Sequence, residues 1–172
     1  MRHDRDSQTS ANLGTASNCT PTEYGNGTIH RTVLDGISTS LTVTSSGTEV
    51  IGLELYEFPE GVVLVDAVLV DLVVTGAPGL GAGSLGLGSA AATAGTGLAG
   101  TEVTHLAAAD VTPALAGTDV ERNAAGAGVV DGTATAGKVF LNIADKAGGW
   151  DAAGTFTVTG RVELLWKYAG DY

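Results

Sequence analysis

The stretch that most constrains this chain is Glu54–Thr75, ELYEFPEGVVLVDAVLVDLVVT, its longest apolar run. The segment around Pro59 and Gly61 interrupts it near its start. Proline and glycine together punctuate a chain, so the run reads as two strands about a corner. Val50–Phe58 is the first strand, with Leu53 and Leu55 on the face opposite Glu54 and Tyr56. Val62–Thr75 is the second. It is apolar on both faces, which predicts a central strand covered on both sides for part of its length. Asp66 and Asp71 stand an odd number of residues apart, and a regular strand would send them to opposite faces. Either a bulge near Ala67 restores the alternation, or one carboxylate faces a subunit contact.

The rest of the chain follows from this start. Thr28–Leu34 reads as a strand broken by Gly36. Ile37–Thr44 alternates, with Ile37, Thr39, Leu41 and Val43 on one face. Ser84–Gly88 is a short strand whose glycines invite close approach of another backbone. Ala90–Gly100 is a small-residue loop, Glu102–Ala109 is irregular, and Thr112–Asn123 is a connector. Val129-Val130 lies in an exposed loop or a short edge strand. Lys138–Ala144 is a strand with Val139, Leu141 and Ile143 on one face. Thr155–Tyr168 is the cleanest alternation, with Phe156, Val158, Val162, Leu164, Trp166 and Tyr168 facing one way. Gly160 sits in that row and allows a bend or bulge. About eight strands and little helical pattern predict an all-β, two-sheet antiparallel sandwich of jelly-roll type, with an Ig-like sandwich as the alternative.

Composition agrees. The chain has 26 glycines among 172 residues, and each would cost about 1 kcal/mol inside a helix. Residues 1–27 are polar and carry few apolar anchors, so they form an extended arm ahead of a body spanning 28–172. Such a segment orders only on a complementary surface, either a partner chain or the protein's own body, and we expect a partner. The net charge of −11 sets the protein against nucleic acid and anionic membranes. A single cysteine, Cys19, excludes an intrachain disulfide. The opening MRHDRDSQTSANLG has no hydrophobic core and does not read as a signal peptide. The Val62–Val74 run is too short and too acidic for a membrane span. The sequons at Asn18 and Asn26 are read as chance matches.

No catalytic motif stands out. There is no HExxH, CxxC, P-loop or GxSxG pattern. His3, His30 and His105 are far apart and lack neighbouring ligands at metal spacing. Glu54, Glu57 and Glu60 share a solvated corner, where a glycosidase-like carboxylate pair is the less favoured reading. Tyr56, Phe58, Trp150 and Tyr168 suit core packing or subunit contact better than a sugar platform.

Two blocks carry a resemblance. One is Leu55-Tyr56-Glu57-Phe58-Pro59-Glu60-Gly61. The other is the C-terminal Val158–Tyr172, ending Trp166-Lys167-Tyr168-Ala169-Gly170-Asp171-Tyr172. Gly100-Thr101-Glu102 and Val139–Ile143 lie between them. In this order they resemble a family of small virion proteins of tailed bacteriophages, over about residues 28–172. The Ala/Gly-rich middle departs from that family's Asp-, Asn- and Trp-rich pattern.

The resemblance implies a jelly-roll-like head decoration, or capsid cement, protein. It would be made in the host bacterial cytoplasm and placed on the outer capsid surface. Its partners would be the major capsid protein and itself, as a homotrimer. No cofactor, metal, nucleic acid, membrane or enzymatic activity is expected. Arg2, Arg5, Tyr24 and Arg31 are the candidate capsid contacts. Tyr56, Phe58, Tyr168 and Tyr172 are the candidate subunit contacts. The alternatives are a head-fibre base, a tail component or a host-glycan-binding module.

Overall fold

A computed structural model describes residues 14–25, 28–43, 50–76, 82–93, 97–111, 118–145 and 153–170. The strands are β1 (Thr15–Ala16), β2 (Thr20–Gly25), β3 (Ile29–Val43), β4 (Ile51–Glu57), β5 (Gly61–Gly76) and β6 (Gly83–Gly88). After a 3-10 turn at Gly100–Glu102 come β7 (Leu106–Val111), β8 (Thr118–Gly132), β9 (Lys138–Asp145) and β10 (Gly154–Gly170). They form two antiparallel five-stranded sheets, ordered β1-β4-β9-β6-β7 and β2-β3-β10-β5-β8. The predicted all-β sandwich is therefore what the chain adopts.

The pairing follows one rule. β3 pairs with β10, β4 with β9, β5 with β8 and β6 with β7. The chain is thus a long antiparallel ribbon with β6–β7 at its tip, and successive strand pairs fall in opposite sheets. The core lies between the sheets. One wall is Leu34 and Ile37 of β3, the inward valines of β5, and Phe156, Val158, Leu164 and Trp166 of β10. The other is Leu55, Leu85, Leu87, Leu141 and Ile143. Each such side chain contributes about 1.5–3 kcal/mol by leaving water.

The Pro59 corner is not a hairpin turn. β4 and β5 belong to different sheets, so the corner carries the chain across the sandwich. Phe58 donates its N–H to the Gly137 carbonyl there, and Pro59 is buried. In β4 a bulge between Glu54 and Tyr56 buries Leu55 and Tyr56 in succession, where simple alternation would have put them on opposite faces.

β5 is central, as expected, but no described segment covers its second face. Val63 and Val65, then Val68, Val70, Leu72 and Val74, turn inward, whereas Leu64 and Leu69 are exposed. The switch of parity is a bulge. Trp166 stands opposite Val65 and Leu165 opposite Ala67, so Asp66 is the extra residue. Asp66 and Asp71 consequently share the outer face, as the bulge reading requires.

Gly36 does not end β3. It is a bulge with φ +70°, and the strand continues through it with inward parity shifted from Leu34 to Ile37. β6 is buried along its whole length. A side chain at Gly88 would collide with the Thr101 and Glu102 backbone, which is the close approach its glycines imply. The segment between β6 and β7 covers the outside of β9. Asn142 accepts from the Ala92 N–H at 2.8 Å and donates to the carbonyls of Ala90 and Glu102 at 2.9 and 2.8 Å.

The reading of the middle region is also corrected. Leu106–Val111, read as irregular, is a strand, and the stretch read as a connector holds the start of the fifteen-residue β8, an edge strand that includes Val129-Val130. Its Ala/Gly composition has no apolar alternation to reveal it.

Residues 14–25, read as part of the arm, are held by the protein's own body. β1 joins β4 at the edge of one sheet, and β2 joins β3 at the corresponding edge of the other. Asn18, at φ +63°, lies in the turn between them. Residues 1–13, 26 and 27 lie outside the described residues.

Cys19 in that turn packs half-buried against the core, its thiol directed at the carbonyls of Ser17 and Leu55. Burial pushes the thiol from 9.0 up to about 11. The native protein should therefore resist iodoacetamide at about pH 8, and the urea-unfolded chain should react quickly. Rapid native alkylation would show that β1–β2 is not seated. The raised value favours the neutral thiol in the fold. This contribution is complete below the unfolded thiol value and is lost as pH rises through about 11.

Candidate functional site

The outer face of the β2-β3-β10-β5-β8 sheet has two unlike ends. Cross-strand registration places Ile29, Lys167, Leu64 and Val129 in one row across four strands. Tyr24, Arg31, Leu165 and Ala67 form the next row. Thr22, Val33, Glu163 and Leu69 form the third. Directly opposed side chains in an antiparallel pair share a face, so these residues line one surface. Among the described residues the large exposed hydrophobics, Tyr24 (52%), Ile29 (53%), Leu64 (37%), Leu69 (39%) and Val129 (67%), all fall within these rows. Scattered single apolar residues are ordinary on a surface, but a contiguous group marks an interaction site.

Charges are set among them in pairs. Arg31 donates to the Glu163 carboxylate at 2.6 Å and lies 5.4 Å from the centre of the Tyr24 ring. Lys167 pairs with Asp66 at 2.6 Å, and Arg161 with Asp71 at 3.7 Å. Exposed pairs of this kind add about 0–1 kcal/mol to stability. Their effect here is to neutralise the charges that border the apolar rows. Toward the opposite end the face turns to hydroxyls: Ser38 opposite Thr159, Ser40 opposite Thr157 and Thr42 opposite Thr155.

Beneath the apolar end lies a polar cluster that bonds the two sheets together. Glu23 of β2 accepts from Thr32 of β3 at 2.8 Å and from the Tyr56 hydroxyl of β4 at 2.5 Å. Trp166 donates its indole N–H to Thr32 at 2.8 Å, and the Gly14 N–H bonds the Tyr56 hydroxyl at 3.0 Å. His30 is buried and stacks on Trp166 at 3.9 Å, nearly parallel. Burial, and then the adjoining Glu23 carboxylate, push the Tyr56 phenol far above its usual range. This cluster braces the sheet that carries the surface.

Of the predicted contact residues, the fold brings Tyr24 and Arg31 together on this face. Arg2, Arg5 and Tyr172 lie outside the described residues, as does Trp150. Tyr56 and Phe58 are corrected. They are buried in the core, with rings edge-on at 5.3 Å, and are not available to a second subunit. Tyr168 is partly buried and donates its hydroxyl to the Glu60 carbonyl, closing the corner. Glu54 and Glu57 both grip Lys138, at 2.8 and 2.9 Å. These two bonds raise the Lys138 ammonium above its ordinary value.

Sequence reasoning missed Ile29, Leu64 and Leu69 as surface residues, whereas Val129 was placed in an exposed loop or a short edge strand and is exposed. The second apolar face of Val62–Thr75 holds the signal, but apolarity on both faces reads as coverage on both. Among the described residues no group of three or more His, Cys, Asp or Glu is placed to hold a metal ion, and no helix is long and apolar enough to cross a membrane. Comparison of the chain with protein-family models, with curated proteins and with solved structures finds no match.

Proposed function

We propose that this chain is a structural virion protein of a tailed bacteriophage, a decoration protein that binds the outer surface of the major capsid shell. The apolar rows of the β3–β10–β5 face are its seat. The observation that carries this reading is the gathering of Tyr24, Ile29, Leu64, Leu69 and Val129 into three adjacent rows at one end of a single sheet face. A rigid sheet presenting fixed apolar anchors between neutralised charges suits a static protein–protein contact. The strand pairing is that of an antiparallel ribbon rolled up, which supports a jelly-roll fold. That agrees with the resemblance of the Pro59 corner and the C-terminal block to phage virion proteins.

Tyr24 and Arg31 belong to the seat. The acidic chain, at −11, stays soluble while its apolar face awaits the shell.

The test is co-sedimentation with empty heads assembled from the cognate major capsid protein. Replacing Ile29 and Leu64 together by aspartate should weaken binding at least about tenfold and leave the melting temperature nearly unchanged, because both side chains are already exposed. Undiminished binding by this folded double variant would remove the face from the contact.

A further inference from the structure

Three features coincide at one end of β8. The first is its backbone. Among the described residues β8 pairs on one side only, with β5, and it ends its sheet. Every second residue of such a strand turns its N–H and C=O away from its neighbour, and these groups are a template for another strand. The opposite edge of the sandwich is built differently, because there the chain itself crosses from β1 to β2.

The second feature is Val129. It is the most exposed of the large hydrophobics among the described residues, at 67%, because no described strand lies beyond it to pack against it. The third is a cleft of about 610 Å³ beside the same residues. Gly128–Asp131 form one side, and Ser89, Thr104, His105 and Lys138 are among those lining the rest. A strand laid along this edge would send alternate side chains beside Val129 and toward the cleft. Main-chain bonds with pockets for alternate side chains are how added strands are recognised.

We infer that residues 1–13 of a second copy of this chain add as a strand to the free edge of β8 at Gly128–Asp131, joining copies head to tail. Several observations select this occupant. Lys138 and Asp131 line the cleft, and Lys138 is paired with Glu54 and Glu57 behind it, so these four groups carry a balance of −2. The arm carries Arg2 and Arg5 against Asp4 and Asp6, a balance of zero, so the whole −11 resides in the remainder of the chain. The arm, with no net charge, is therefore not repelled by this acidic edge.

The arm also contains no proline, so every one of its amides can donate. Its scarcity of apolar residues suits docking by backbone bonds. Its reach suffices, since thirteen extended residues span about 43 Å. It departs from Gly14 at the β1–β2 edge, opposite the receiving edge. A side-by-side neighbour receives it directly, whereas its own β8 lies across a sheet about 19 Å wide. Donation from one edge to the other is a heterologous contact, which closes into a ring when the rotation allows. The contact joins copies of the chain in solution and does not depend on a shell.

The experiment uses the full chain in analytical ultracentrifugation with hydrogen exchange. Wild type should associate reversibly with concentration, and its Gly128–Asp131 amides should gain protection in the oligomer. Two variants interrupt the strand pair from either side: Ser7→Pro with Thr9→Pro in the arm, and Val129→Asp on the edge. Both should keep the wild-type melting temperature and associate at least about tenfold more weakly. Excess synthetic peptide of residues 1–13 should dissociate the wild type. A full chain that stays monomeric at all concentrations would overturn the inference. So would an oligomer indifferent to the proline variant. A monomer whose 128–131 amides are protected, and lose protection in the proline variant, would place the arm on its own chain and equally overturn exchange between copies.

Discussion

Replacing Trp166 by alanine should cost about 3–5 kcal/mol, a large share of the stability of a domain this size. The side chain is fully buried. Its ring meets Phe58, at the corner leaving β4, edge-on at 5.4 Å, and stacks on His30 at 3.9 Å. Its N–H donates to Thr32, which in turn donates to Glu23. Truncation would open a cavity between the sheets and strip His30 of its stacking partner. It would also loosen the link by which Glu23 of the edge strand holds Tyr56 of the other sheet. Urea unfolding followed by circular dichroism is the measurement. Trp166→Phe separates the contributions, because it keeps most of the packing and loses the donor, and should cost about 1–2 kcal/mol. A loss below about 1 kcal/mol for the alanine variant would mean that the cluster does not join the sheets.

Gly160→Val should be nearly as damaging, at about 2–5 kcal/mol. Gly160 has φ +137°, a conformation that a β-branched residue avoids. It also lies opposite Leu72 in the centre of the sheet, and a Cβ built there runs into the Asp71 carbonyl. Relief would require parting β10 from β5, the pairing that supports the apolar rows. Gly36 makes the useful contrast. It belongs to the same β3–β10 irregularity and has φ +70°, but a Cβ there meets nothing within 4 Å. Gly36→Asn should therefore cost less than about 1 kcal/mol, because asparagine tolerates the left-handed region. Equal losses at the two sites, measured by thermal unfolding, would show that backbone crowding at Gly160 does not set the difference.

These sites show what can be read in advance. The strict alternation of Phe156–Tyr168 identifies β10 as a strand with one buried face, because burial on a pleated sheet repeats every second residue. The odd spacing of Asp66 and Asp71 allows either a bulge or one carboxylate at a subunit contact, and the register decides for the bulge, with Asp66 the extra residue. Gly86 and Gly88 foretell close backbone approach. β8 escapes because its alanines and glycines give no apolar period, and its strand state comes from hydrogen bonds to β5. Residues 14–25 read as part of an arm held on a partner because their composition cannot order them alone. They are ordered by two sheet edges supplied from elsewhere in the chain.

By itself the sequence determined the strand class, most core faces and the acidic character of the chain, and offered the bulge in β5 as one of two readings. All of these follow from local period, glycine geometry and charge. Only the tertiary structure decided which apolar residues stay in water. Leu64 and Leu69 are as apolar as Val63 and Val68, and no local rule separates a strand covered on two faces from one covered on one. That depends on whether another layer lies over the sheet. Over β3, β10 and β5 no described segment does, so Ile29, Leu64 and Leu69 remain exposed beside Tyr24 and Val129. Over β9 the segment between β6 and β7 does lie on top, anchored by Asn142. The Pro59 corner is visible from the start, but its role in sending β4 and β5 into opposite sheets depends on partners far away in sequence, β9 and β10.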